Sequence, residues 1–218
     1  MRRAPVVLLT GFDPFGGDAV NPSWKAVRRL HGTTLHGHRI EAVELPTVFA
    51  RGASALLDAL DRHRPALTLC TGLAANRGAL SLERVSVNLI DARIPDNDGA
   101  QPVDAPCITG APDAYFTTLP VKAALRALEA ADIPAELSMT AGSFVCNHVF
   151  HVLMHALAAD PARPRGGFVH VPPLPGMPLR SPQARPMPLD TMAEGLRLII
   201  DVALRTHDDA HFAAGTLD

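Results

Sequence analysis

Cysteine is scarce in this chain: its 218 residues contain three, at Cys70, Cys107 and Cys146. Three scattered cysteines are too few for a disulfide scaffold, and an odd number fits a reducing compartment. Long apolar runs are missing too, because no stretch approaches the roughly 18 apolar residues that span a bilayer. The sequence therefore predicts a cytoplasmic, soluble protein with no membrane partner.

The first residues of the chain have some features of a secretory signal peptide but not all of them. Met1–Arg3 supplies positive charge, and residues 4–10 form a brief apolar stretch. Asp13-Pro14 interrupts that stretch before any convincing small-residue cleavage site. This segment does not change the expectation of a cytoplasmic protein.

Net charge is small, and lysine is rare. Lys25 and Lys122 are the two lysines, and 20 cationic against 22 anionic side chains give a net charge of −2. With no basic stripe, the sequence indicates no nucleic-acid partner. Apolar residues make up 47% and charged residues 19%, which is typical of a globular protein. The length favours one domain over residues 1–218.

Short apolar runs alternate with helical patterns along the chain. Strands are predicted at 5–10, 39–45, 66–71, 80–90, 135–139 and 167–171. Helices are predicted from Asn21-Pro22-Ser23 onward and at 46–64, 121–131, 145–159 and 189–205. Residues 91–106 and the proline-rich stretch 171–188 read as loops. This alternation favours an α/β fold with a mostly parallel sheet covered on both faces.

One cysteine stands apart from the other two. Cys146 follows a small-residue turn, Thr140–Ser143, at the predicted start of a helix. Unpaired N–H groups and the helix dipole favour a thiolate there, and the thiolate is the nucleophilic form. Cys70, within an apolar strand, fits a small buried side chain, and Cys107, in a loop, suggests no role.

His170 and Glu83 are the candidate partners of Cys146. His170 lies 24 residues later, about one helix and one strand, so a parallel neighbouring strand would return it to the same sheet edge. A carboxylate usually orients such an imidazole, and Glu83 interrupts an apolar strand. Taken singly, His170 also fits a hydrogen-bonded core histidine, and Glu83 an exposed residue paired with Arg84.

The sequence supports three other functions more weakly: zinc binding, phosphate binding and serine hydrolase activity. His148, His151 and His155 share one helix face and could hold zinc, but no HExxH pattern occurs, and a histidine-rich amphipathic helix explains them as well. Gly16-Gly17 before a helix could bind phosphate, but neither GxxxxGK[ST] nor GxGxxG is present. A serine hydrolase would need a GxSxG elbow, which is lacking.

Five motifs, in order along the chain, resemble those of pyroglutamyl peptidase type I, also known as pyrrolidone-carboxylate peptidase. They are Thr10–Gly17 with Asn21–Ser23, Glu83–Val85, Asp91–Asn97, Ala141–Asn147 and Phe168–Pro172. The resemblance covers almost the whole chain, and the motifs together are highly specific.

The resemblance implies a catalytic triad of Glu83, Cys146 and His170, the residues that the chemistry selects. It also implies a three-layer α/β/α sandwich, a homotetramer, and no metal or organic cofactor. The implied activity is that of a cysteine exopeptidase, an omega-peptidase that removes an N-terminal pyroglutamyl residue from peptides through a thioester acyl-enzyme.

The resemblance further implies a substrate pocket, made by Phe12, Phe15, Leu73, Arg93, Phe144 and Val145. Pyroglutamate is a neutral lactam, so its site needs a small apolar slot and a few backbone hydrogen bonds. The phenylalanines could equally anchor their loop to the core, and Arg93 could form an ordinary loop salt bridge. Leu73 replaces a glutamine of many relatives, so a contact there would use its backbone.

Overall fold

Nine strands and five helices alternate along residues 4–215, the part of the chain that the computed structural model describes. The strands are β1 (Val6–Phe12), β2 (Thr34–Leu35), β3 (His38–Leu45), β4 (Leu67–Leu73), β5 (Leu80–Glu83), β6 (Val85–Val87), β7 (Ala114–Phe116), β8 (Ala135–Ser138) and β9 (Arg165–Val171). The helices are α1 (Pro22–Leu30), α2 (Phe49–His63), α3 (Val121–Ala130), α4 (Val145–Ala159) and α5 (Leu189–Arg205).

A central sheet holds seven of these strands, in the order β2-β3-β1-β4-β9-β5-β8. The neighbours β3, β1, β4 and β9 run parallel, as do β5 and β8. Antiparallel pairing occurs where β2 meets β3 and where β5 meets β9. The prediction of a mostly parallel sheet is confirmed.

Helices cover both faces of the sheet, because each face is apolar and must be shielded from water. On one face, α1, α3 and α5 pack together around buried residues such as Val27, Leu128 and Ile199. On the other face, α2 packs beside α4, with Leu56 and Phe150 in the buried cluster. The result is the expected three-layer α/β/α sandwich.

The start of α1 is fixed in the predicted way. Asn21 is the N-cap, its side-chain oxygen accepts from the Ser23 N–H at 3.1 Å, and Pro22 occupies the first turn. The Ser23 hydroxyl then accepts from the N–H of Phe12 at 3.0 Å. The helix is thereby joined to the last residue of β1.

Residues 80–90 differ from the prediction of one strand. β5 lies in the central sheet and is fully buried, and the chain then leaves that sheet at Arg84. β6 pairs with β7 in a separate two-stranded ribbon that contacts α4. Apolar residues alternate without interruption through both β5 and β6, although the two strands pair with different partners. The alternation alone therefore predicts a single strand.

The signal-like start, Met1–Arg3, lies outside the described residues. Across residues 4–215, every helix is too short or too polar to cross a membrane.

Candidate active site

A cavity of about 590 Å³ opens beyond the carboxyl ends of β1, β4 and β9. Its wall includes Cys146 and His170, so both predicted residues reach the same space. A larger cavity, of about 850 Å³, lies at the opposite edge of the sheet, beside Pro5, Ala66 and Arg165. The smaller cavity has the size of a small-molecule site and lies where α/β sheets usually bind ligands.

The turn before α4 brings Cys146 to the cavity. Gly142 has φ +79°, a conformation that glycine adopts without strain, and its N–H donates to the Thr140 hydroxyl at 3.0 Å. The Ser143 hydroxyl donates to the Asp91 carbonyl at 2.9 Å. The N-cap residue, Phe144, supplies no side-chain acceptor, so the N–H groups of the first helical turn keep no capping partner.

Gly72, on β4, allows the sulfur to approach the sheet. A Cβ atom at this position would lie 2.7 Å from the Cys146 Sγ, closer than real Cβ contacts. Gly72 is paired in register with His170 on the parallel neighbour β9. In-register residues of paired strands project from the same face, so the imidazole extends on the face where the sulfur lies.

Glu83 meets His170 from the other side. It is the last residue of β5, is 0% exposed, and its Oε1 lies 2.8 Å from the His170 Nδ1. Because a carboxylate can only accept, Nδ1 donates, and Nε2 is left free as a proton acceptor. The three residues chosen from the sequence therefore converge, and the alternative of an exposed Glu83 paired with Arg84 is wrong.

The thiol itself differs from the prediction of a helix-stabilised thiolate. Burial, followed by the negative charge of Glu83, raises the pKa of Cys146 to about 12, although the charge of Arg77 lowers it. Burial also raises the pKa of Cys70 to about 12 and that of Cys107 to about 11. Loss of hydration outweighs the helix dipole, so the site favours the neutral form of the Cys146 thiol over the thiolate.

Aromatic side chains form the apolar wall of the cavity. Phe12 is buried at the end of β1, and the ring of half-buried Phe15 lies 5.3 Å from that of Phe144. Both suggested roles of these residues are compatible, because they line the cavity and also anchor the loop. Leu73 lines it as well. Val145 is different, because its side chain is fully buried and packs near Gly52 of α2.

Charged side chains stand at the mouth of the cavity. Arg93 lines it and is exposed, and within residues 4–215 no carboxylate lies at ion-pair distance from its guanidinium. The ordinary loop salt bridge is therefore not observed. Arg180, from the proline-rich stretch, also lines the cavity and lies 3.6 Å from Asp18.

Two polar residues of the site were missed from the sequence. Arg77 donates from Nη1 to the Glu83 Oε1 at 2.7 Å. Asn147, fully buried beside Cys146, accepts from the Val87 N–H at 3.0 Å and donates to the carbonyls of Val87 and Leu89 at 2.9 and 3.0 Å. An amide in an otherwise apolar helix was the available signal for Asn147; nothing local distinguishes Arg77 from other loop arginines.

The histidines of α4 pack individually. The His155 Nδ1 lies 2.8 Å from the Tyr115 hydroxyl, and the His151 Nδ1 lies 3.4 Å from the Ser86 hydroxyl. In the described part of the chain, no three histidine, cysteine or carboxylate side chains are grouped so that they could hold a metal ion. The geometry favours the histidine-rich helix over the zinc site.

His148 makes stability depend on pH. Burial, reinforced by His151, lowers its pKa from 6.5 to about 4, so between those values the unfolded state binds a proton that the folded state refuses. Stability is therefore complete above pH 6.5 and falls on acidification, by about 2 kcal/mol at pH 5 from this group. Urea unfolding at pH 7 and pH 5 measures this loss.

The matched comparison for this prediction is His148→Leu against His211→Leu, an exposed position. The first variant should lose about 2 kcal/mol less than the unmodified protein between the two pH values, and the second should behave normally. Equal losses in all three proteins would contradict the assignment.

Comparisons with known proteins find relatives that match nearly the whole chain. A family model described as pyroglutamyl peptidase matches residues 5–206. A pyrrolidone-carboxylate peptidase of Cupriavidus taiwanensis is 48% identical over 214 residues, 98% of this chain and 99% of the relative. One from Gloeobacter violaceus is 51% identical over 197 residues, 90% of this chain and 95% of the relative.

A solved structure shows the same similarity in three dimensions. The pyroglutamyl peptidase I of Bacillus amyloliquefaciens superposes with a TM-score of 0.92 at 41% identity, covering 97% of this chain and all of that one. The protein is therefore an enzyme, a hydrolase that acts on peptide bonds. The chain belongs to the pyroglutamyl peptidase family.

Proposed function

We propose that this enzyme removes an N-terminal pyroglutamyl residue from peptides by acyl transfer to Cys146. One observation carries the proposal: Cys146 and His170 line the same cavity of about 590 Å³, and the buried Glu83 carboxylate lies behind the His170 ring, 2.8 Å from its Nδ1. The chain, residues 1–218, acts as a single catalytic domain.

The first half of the reaction forms a thioester. His170 Nε2 takes the proton of the Cys146 thiol as the sulfur attacks the carbonyl carbon of the scissile amide, outside the lactam ring. The oxygen of the tetrahedral intermediate becomes negative, and the uncapped N–H groups at the start of α4 are suited to stabilise it. The C–N bond then breaks, and His170 gives the proton to the departing amine.

The second half releases pyroglutamate. His170 now takes a proton from water, whose oxygen attacks the thioester carbon, and the carbon–sulfur bond breaks. The proton returns from His170 to the Cys146 sulfur. Throughout, Glu83 holds Nδ1 as the donor and stabilises the imidazolium each time it forms.

Substrate selection follows from the wall of the cavity. Phe12, Phe15, Leu73 and Phe144 provide an apolar slot for the ring, and Val145 contributes through its backbone. The unpaired cation of Arg93 adds electrostatic support at the mouth. Loss of hydration in this slot costs a charged amino terminus far more than a neutral lactam, whose N–H and C=O can be satisfied by backbone hydrogen bonds.

Hydrolysis of two chromogenic amides tests the proposal. Pyroglutamyl p-nitroanilide should be hydrolysed, and prolyl p-nitroanilide, with the same ring size but a charged nitrogen and no lactam carbonyl, should react at least about 10³-fold more slowly. Comparable rates for both, or no hydrolysis of the first by reduced protein, would contradict the function.

Gly72→Ala tests the geometry around the sulfur. Its methyl group would lie 2.7 Å from the Cys146 Sγ and 3.0 Å from the Phe168 ring, so the sulfur must move. A displacement of about 1 Å is expected to lower kcat about 100-fold. Gly215→Ala, with nothing within 4 Å of its Cβ, is the control. Activity within about threefold of the unmodified enzyme would show that the sulfur does not need this position.

Compartment and assembly complete the proposal. We infer a cytoplasmic enzyme, because its three cysteines are unpaired and a catalytic thiol needs reducing conditions. The homotetramer is inferred from the family resemblance. Light scattering coupled to gel filtration measures the subunit number directly.

A further inference from the structure

Arg77 touches the site at two points. It lies in the loop between β4 and β5, and its side chain is 21% exposed. Nη1 donates to the Glu83 Oε1 at 2.7 Å, and Nη2 donates to the Thr140 carbonyl at 2.9 Å. One guanidinium thus joins the carboxylate behind His170 to the turn that precedes Cys146.

The Glu83 carboxylate needs such a partner. It is completely buried, and a buried charge is very unfavourable unless an opposite charge and hydrogen bonds compensate it. Its Oε2 has no hydrogen-bond partner within residues 4–215, so both contacts fall on Oε1. The titratable or charged groups that face this region are His170 from β9, Cys146 from α4, Glu136 from β8 and Arg77 from the loop.

Among these groups, Arg77 supplies the permanent positive charge. Glu136 is an acid that accepts from the Ser81 hydroxyl at 2.6 Å, and neither an imidazole nor a thiol carries a permanent positive charge. Without the guanidinium, Glu83 would take up a proton more readily, and a protonated acid could not stabilise the imidazolium. Loss of the ionised carboxylate would therefore lower activity first on the acid side of the pH profile.

We propose that Arg77 is a positioning residue, which is anchored on the Thr140 carbonyl and keeps Glu83 charged and aligned with His170. The inference rests on the proposed function, because it assigns Arg77 to the Glu83–His170 pair. It acts through Glu83 and does not require contact with the substrate.

Steady-state kinetics of Arg77→Met across pH provides the test. We expect kcat to fall by at least about tenfold, with KM within about threefold, and the acid limb of the kcat/KM profile to move to higher pH. Arg77→Lys, which keeps the charge, should retain part of kcat and should have an acid limb close to that of the unmodified enzyme. Arg84→Met, at the next residue after Glu83, is the matched control and should behave like the unmodified enzyme.

A double-mutant cycle shows whether Arg77 acts through Glu83. In the Glu83→Gln background, Arg77→Met should cause no further loss beyond about twofold. The proposal would be overturned if the losses in kcat from the two substitutions multiplied in the double variant. It would also be overturned if Arg77→Met left the acid limb of the kcat/KM profile at the same pH, or raised KM with kcat unchanged. If Arg77→Met does not fold, Arg77→Gln, which also removes the charge, takes its place in the same cycle.

Alkylation of Cys146 by iodoacetamide separates this inference from the proposed function. The charges of Glu83 and Arg77 shift the pKa of the Cys146 thiol in opposite directions, so Arg77→Met should change the alkylation rate at pH 8 whether or not pyroglutamyl amides are hydrolysed. An unchanged alkylation rate would count against Arg77 alone. Hydrolysis that survives in Cys146→Ser would instead overturn the proposed function.

Discussion

Cys146→Ser is expected to lower kcat/KM for a pyroglutamyl amide by about 10⁴-fold or more, to the background given by binding alone. Serine has nearly the size of cysteine, so the close approach to Gly72 is kept and the fold is unaffected. A hydroxyl is a far weaker nucleophile than a thiolate, and the site contains no stronger base than His170 to activate it. Hydrolysis of the p-nitroanilide measures the loss.

Cys107→Ser is the control for this change. Its thiol lies 3.5 Å from the Val87 carbonyl in the loop region and does not line the active-site cavity. It should keep activity within about threefold and remain open to inactivation by iodoacetamide at Cys146. Full turnover by Cys146→Ser, or equal losses in both variants, would show that another group attacks the substrate.

Glu83→Gln is the second large effect, with kcat expected to fall by about 10²–10⁴-fold and KM nearly unchanged. The amide still fills the space but cannot stabilise the imidazolium that forms when His170 takes a proton. It also leaves the Arg77 guanidinium without its counter-charge at a partly buried position. Breaking a buried ion pair in this way costs about 3 kcal/mol of folding stability.

Glu136→Gln is the matched control for Glu83→Gln, because Glu136 lies on the neighbouring strand β8 and contacts Ser81. Kinetics and urea unfolding of both variants check the prediction. If the two substitutions had the same small effect on kcat, Glu83 would have no role in orienting His170.

The long helices were predictable from the sequence. The bounds of α4, Val145–Ala159, and α5, Leu189–Arg205, match the predictions, because many apolar residues repeat at helical spacing. Strands β1 and β4 begin one residue later and end two residues later than predicted, and β9 begins two residues earlier. A short apolar run indicates that a strand is present, but it does not indicate accurately at which residue the strand begins or ends.

Pairing between distant strands was not predictable. β2 has two residues and β7 has three, too few to produce a pattern. β6 continues the alternation of β5, yet it pairs with β7, which lies almost thirty residues later. Local sequence contains no information on which partner a strand takes, so the division at Arg84 required the three-dimensional structure.

The sequence predicted those residues of the candidate site whose positions depend only on the order of strands and helices. Cys146 and His170 follow from a helix start and a strand end at one sheet edge. Arg77 and the raised pKa of Cys146 did not follow, because both depend on burial. A loop arginine gives no sign that it will face a buried carboxylate, and helix position does not reveal how much water a thiol loses.

Trapping the acyl-enzyme tests the central claim most directly. The enzyme is mixed with a reactive pyroglutamyl aryl ester, quenched in acid during turnover, and analysed by peptide mass mapping. We predict one pyroglutamyl group on the peptide that contains Cys146, bound as a thioester that hydroxylamine removes. Turnover with no adduct on Cys146, or an adduct on a different side chain, would contradict the account.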